Sequence, residues 1–71
     1  MTANEIARAN IERNLGCVVG EDSAESIYEE SYVLGFDALA DAGYSAEDAR
    51  RIAKEEAKKI AGDGPTFWES L

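Results

Sequence analysis

Ser45-Ala46-Glu47-Asp48-Ala49-Arg50-Arg51-Ile52-Ala53-Lys54-Glu55-Glu56-Ala57-Lys58-Lys59-Ile60-Ala61-Gly62 decides the fold class of this 71-residue chain. Ser45 with Asp48 three residues on is a helix start signal, because the hydroxyl accepts a backbone N–H that the first turn leaves without a carbonyl. Ala49, Ile52, Ala53, Ala57 and Ile60 then recur at the spacing that gathers apolar side chains on one helical face, and Gly62 supplies the stop. Five of the seven bases, Arg50, Arg51, Lys54, Lys58 and Lys59, lie here, interleaved with Glu47, Glu55 and Glu56. Glu47 with Arg51 and Glu55 with Lys59 have the favourable i,i+4 order, and Lys58 and Lys59 complement the helix dipole, so this face reads as solvated and self-paired.

Two further start signals lie upstream. Asp22-Ser23-Ala24-Glu25, or the offset Ser23 cap, opens a long helix whose stripe is Ala24, Ile27, Tyr28, Leu34, Ala38, Leu39 and Ala42, ending at Gly43 with a left-handed cap. Ser31 and Gly35 fall in the same stripe. A glycine inside a helix costs about 1 kcal/mol relative to Ala, so Gly35 is expected to serve close packing of a neighbouring helix rather than a kink. Thr2-Ala3-Asn4-Glu5 is a capping box for a first helix carrying Ala3, Ile6, Ala7, Ile11 and Leu15, with Gly16 as its stop. Asn10 and Asn14 fall near its stripe and are expected at the edge, in reach of water.

The expected fold is therefore all-α: one domain, a compact three-helix bundle with helices over 3–15, 23–42 and 46–61, and no sustained strand alternation. Gly62-Asp63-Gly64-Pro65 breaks the last helix, and a short C-terminal aromatic segment over 63–71 is expected to pack on the bundle through Phe67, Trp68 and Leu71; an exposed docking segment is the alternative.

A single core of this size supplies only about 3–5 kcal/mol of net stability, and one cysteine with no histidine leaves neither a disulfide nor the commonest zinc ligand as a staple. Cys17, between Gly16 and Val18-Val19, reads as a small core residue, and an unpaired cysteine fits a reducing compartment. The N-terminus lacks the pattern of a secretory signal and no apolar window is long enough for a membrane span, so a cytoplasmic protein is expected. No enzyme is expected: there is no histidine to activate a nucleophile, and the serines sit where caps are wanted. The acids do not follow a calcium-loop pattern and no Gly-rich phosphate loop is present, so neither metal nor cofactor is expected. The stretch Ala42-Gly43-Tyr44-Ser45-Ala46-Glu47-Asp48-Ala49 resembles the loop of ubiquitin-associated domains without its Met; the long second helix does not fit that compact fold, and no function is carried over.

From Glu21 to Ala49 the chain holds nine acidic residues and no Lys or Arg, so the net charge of −8 belongs to one stretch. Uneven charge of this kind points to a basic partner and against direct nucleic-acid binding. A helical wheel puts Asp22, Glu25, Glu29, Glu30, Asp37 and Asp41 opposite the apolar stripe, with Val33 and Phe36 among them and Tyr32 at the edge. Like charges at Glu25/Glu29 and Asp37/Asp41 each cost a helix roughly 0.2–0.5 kcal/mol, and selection for folding alone would mix the signs. The expected partner-binding residues are Glu25, Glu29, Glu30, Val33, Phe36, Asp37 and Asp41: a row of charge comparable to a phosphate backbone, with Phe36 as the apolar anchor. The profile resembles in type the small acidic inhibitors of mobile-element and phage origin, anti-CRISPR and anti-restriction proteins, that act as DNA mimics on a basic protein or nucleoprotein complex. The competing expectation is an assembly module, a helical homodimer burying Val33, Phe36 and Trp68 between copies; the Phe67-Trp68 segment folding over Val33 and Phe36 is a further one. Adaptation to a salty cytoplasm is a third possibility, opposed by the basic third helix.

Overall fold

A computed structural model describes residues 1–14, 16 and 23–62, and it is an all-α three-helix bundle. α1 spans Ala3–Arg13, α2 Ala24–Asp41 and α3 Ala46–Ala61. The caps account for these bounds. Thr2 Oγ1 accepts from Glu5 N at 3.2 Å, Ser23 Oγ from Ser26 N at 3.1 Å and Ser45 Oγ from Asp48 N at 3.2 Å. Ser23, rather than Asp22, is thus the cap of α2. In the first box the carboxylate of Glu5 accepts from the Thr2 hydroxyl at 3.2 Å. α1 ends earlier than Gly16: Asn14 is its C-cap, its N–H donating to the Ile11 carbonyl at 3.1 Å.

The α2–α3 turn is a Schellman motif, the Tyr44 N–H donating to Leu39 O at 3.0 Å and the Gly43 N–H to Ala40 O at 3.1 Å. Gly43 takes φ +96°, a left-handed conformation that a Cβ disfavours. Tyr44 then packs on the cluster that contains Leu39, the apolar contact that accompanies this motif. α3 ends at Gly62, whose φ is +84° and whose N–H donates to Lys58 O at 2.9 Å.

α2 is the central element, packed most extensively on α3 and next on α1. The three helices meet at Gly35. A Cβ there would lie 3.3 Å from Ala53 Cβ and 3.4 Å from Ala7 Cβ, so the missing side chain lets both neighbours approach. One apolar cluster joins Ala7, Leu39, Ala49 and Ile52, with Phe36 and Tyr44 packed on it; a second joins Tyr28 and Ala57, with Ala24, Tyr32 and Ala61 around them. Asn10 Nδ2 donates to the Leu34 carbonyl at 2.7 Å, tying α1 to α2, and Asn14 Nδ2 donates to Asn10 O at 2.8 Å. Both amides are half-buried and partnered within the protein. The readings of Leu15, Cys17, Phe67, Trp68 and Leu71, and of the 63–71 segment, lie outside the described residues.

Candidate partner-binding face

α2 brings its predicted site residues to the surface at different depths. Glu25, Glu29, Glu30, Asp37 and Asp41 are exposed, and among the described residues none forms an ion pair. Val33 lies among them with 51% of its surface exposed. Phe36 is placed differently from the anchor expected on the wheel. It is half-buried, packed on the Ala7/Leu39/Ala49/Ile52 cluster. Its ring stacks on Tyr32 at 6.2 Å between centroids, and Tyr32 stacks on Tyr28 at 6.4 Å. Successive steps of four residues place this aromatic ladder along the edge of α2 that faces α3. The more exposed apolar residue among the carboxylates is therefore Val33, with Phe36 half-buried and packed on the core cluster.

Four of these five acids line two grooves. Glu25, Glu29 and Val33 line one of about 560 Å³ between α2 and α3, floored by Tyr28 and Tyr32 and walled on the α3 side by Arg50 and Lys54. Burial first, and then the neighbouring Tyr32, push the Tyr28 hydroxyl above its ordinary value, so it stays a neutral phenol. Asp37 and Asp41 line a smaller one of about 240 Å³ against Met1, Ile6, Asn10 and Arg13 of the opposite flank. The wheel reading of α2 alone had no means of seeing Arg50, Lys54 or Arg13 arrive beside these carboxylates.

A further charged group is buried inside the bundle. Glu56 is 1% exposed, although its place among the bases of α3 suggests a solvated side chain. Its carboxylate accepts from Arg8 Nε at 2.9 Å, Asn4 Nδ2 at 2.9 Å and Lys59 Nζ at 3.0 Å. Burial raises the Glu56 carboxyl, but the hydrogen bonds from Arg8, Asn4 and Lys59 outweigh it and hold the group below the ordinary carboxylate value. Reciprocally, the hydrogen bond and charge of Glu56 raise Arg8. Lys59 thus pairs with Glu56 rather than Glu55, and Arg51 lies 3.6 Å from Asp48 rather than beside Glu47. The signal for Glu56 was its register: it continues the stripe of Ile52 and Ile60, four residues from each.

No group of metal-binding side chains and no helix long and apolar enough to cross a membrane occurs among the described residues. Comparison with protein-family models, curated proteins and solved structures gives no match.

Proposed function

We propose that this chain is a non-enzymatic inhibitor that binds a basic, nucleic-acid-binding protein through the outer face of α2 and blocks it as a nucleic-acid mimic, in the manner of anti-CRISPR and anti-restriction proteins. The observation that supports this reading is the set of exposed carboxylates, Glu25, Glu29, Glu30, Asp37 and Asp41, presented without ion pairs among the described residues on one helix around exposed Val33. Four helical residues rise about 6 Å, a spacing suited to basic side chains that otherwise grip successive phosphates. Charge of one sign steers encounter with such a surface, and Val33 offers an apolar contact at its centre. Phe36, half-buried at the edge of this face, stays in the reading as a second apolar contact beside Val33.

The test is capture of a partner at low and high salt on the unaltered chain and on an Asp37→Lys/Asp41→Lys variant, followed by competition with nucleic acid for the captured protein. Binding that is lost in high salt, abolished by the double reversal and mutually exclusive with nucleic acid is the expected result. Capture unchanged by the reversal defeats the reading. Recovery of the chain alone, as a concentration-dependent dimer, favours the assembly module, which must instead bring these carboxylates against their own copies.

A further inference from the structure

Four of the α2 acids fall on one diagonal. Glu25, Glu29, Val33, Asp37 and Asp41 succeed one another at intervals of four residues, and each such step turns about 40° further round the helix. The row therefore crosses the outer face obliquely, from the α2–α3 groove lined by Glu25, Glu29 and Val33 to the α1–α2 groove lined by Asp37 and Asp41, over a rise of about 24 Å. Its centre is Val33, 51% exposed, with two exposed carboxylates on either side. Two other lines pass through Val33 and carry less charge. The steps of three, Ile27, Glu30, Val33 and Phe36, hold one acid; the line parallel to the axis, Ser26, Glu30, Val33, Asp37 and Ala40, holds two.

We infer that the element of the basic partner seated on this face is an α-helix crossing α2 along that diagonal, with Arg or Lys in i,i+4 rows flanking an apolar position that meets Val33. The inference rests on the partner-binding reading and specifies the shape of what binds. Two helices whose i±4n rows interdigitate cross at about −50°, so such a partner lays rows of its own parallel to the acidic one. A helix is also the element that many nucleic-acid-binding proteins place in the major groove, among phosphates that basic side chains contact. Charge selects the direction, because the oblique contact brings four carboxylates to the partner's cations, against two or one along the other lines. The grooves set its ends. Beside Glu25 and Glu29 a long cationic side chain lies along Tyr32, which shields its stem and gives its head a cation–π contact; beside Asp37 and Asp41 it lies along Ile6 and Ala9. On the far wall of each groove stands a base of this chain, Arg50 on α3 and Arg13 on α1, which repels a basic helix that overshoots the row. Glu30 lies off the row, about 100° round the helix from Glu29, and adds to steering without contact.

The probe is a fluorescein-labelled, alanine-based peptide helix with arginines in two i,i+4 rows beside a central leucine, titrated with the full chain and read by fluorescence anisotropy at low salt. Two controls keep its charge: one distributes the arginines round the helix, and the other carries prolines that prevent helix formation. Glu29→Lys, Glu30→Lys and Asp41→Lys each change the net charge by the same amount at an exposed position, and circular dichroism verifies that the bundle is retained. The expected result is that the row peptide binds severalfold tighter than either control, and that Glu29→Lys and Asp41→Lys weaken it about fivefold or more while Glu30→Lys weakens it about twofold or less. Equal loss from all three reversals, or equal binding of the three peptides, overturns the inference and leaves a face that attracts cations in any arrangement, so the partner-binding reading stands. Tighter binding of the proline-containing peptide assigns the face to an extended segment, and a dimer of the chain that the row peptide does not displace assigns it to a second copy; either overturns the inference. Indifference of all three peptides to all three reversals overturns it together with the partner-binding reading.

Discussion

Glu56 and the carboxylates of α2 show opposite uses of the same chemical group. Glu56 is taken out of water and given three donors from two helices, so its charge joins α1 to α3. The α2 acids stay in water and receive no ion pair among the described residues, so their charge contributes repulsion within the helix and attraction toward whatever approaches. An acid compensated inside the bundle is part of its architecture, whereas a row left uncompensated outside is available for recognition.

The contrast is most severely tested at Glu56. An Arg8→Ala/Lys59→Ala double variant leaves that buried carboxylate with Asn4 as its described donor, and the expected loss is about 3–5 kcal/mol, enough to unfold a domain of this size. Chemical denaturation monitored by circular dichroism measures it. Glu56→Leu, which removes the charge rather than its partners, is expected to be near neutral, because the cations left behind are 46% and 60% exposed and rehydrate. The same group gives the comparison a pH axis. Its folded pKa lies below the unfolded value of about 4.3, so its contribution is fully present above that pH and is lost as pH falls through the folded value. In Glu56→Gln the slope of stability in that acidic window flattens.

Smaller effects sharpen the boundary between the inner and outer faces of α2. Gly35→Leu drives a side chain into Ala7 and Ala53 and is expected to cost about 1–3 kcal/mol, seen as a lower denaturation midpoint. Ser31 is fully buried and its Oγ has no hydrogen-bond partner among the described residues, so Ser31→Ala is expected to raise stability by about 1 kcal/mol. On the outer face, Asp37→Asn/Asp41→Asn relieves one like-charge pair and is expected to change stability by only about 0.2–0.5 kcal/mol while weakening partner capture. A large loss of stability in that variant would erase the distinction between the two kinds of acid.

Local chemistry made the helices legible. Ser23, Ser45, Gly43 and Gly62 act within a few residues of themselves, and the α2 stripe containing Ser31 and Gly35 needs no knowledge of what packs on it. Gly35 was readable as a close-packing residue because its cost inside a helix demands a reason. What escaped were relations between helices. The buried Glu56 draws its partners Asn4 and Arg8 from 52 and 48 positions away in the sequence, which no periodicity encodes. Phe36 sits near the acids on a wheel, but a wheel carries no information on how far α3 wraps around α2, and that reach half-buries the ring. The carboxylates themselves were correctly expected at the surface; Arg13, Arg50 and Lys54 beside them appear only once the helices are assembled.

The Asn10 bond to the Leu34 carbonyl carries one more consequence, for how freely each position can change. The acceptor belongs to the main chain, so any residue at 34 that keeps the helix supplies it, while the donor is a side-chain amide of one length. Docking of α1 on α2 is therefore encoded one-sidedly: in a saturation library selected for folding, position 10 tolerates few substitutions on account of this bond, and position 34 is constrained only by its packing.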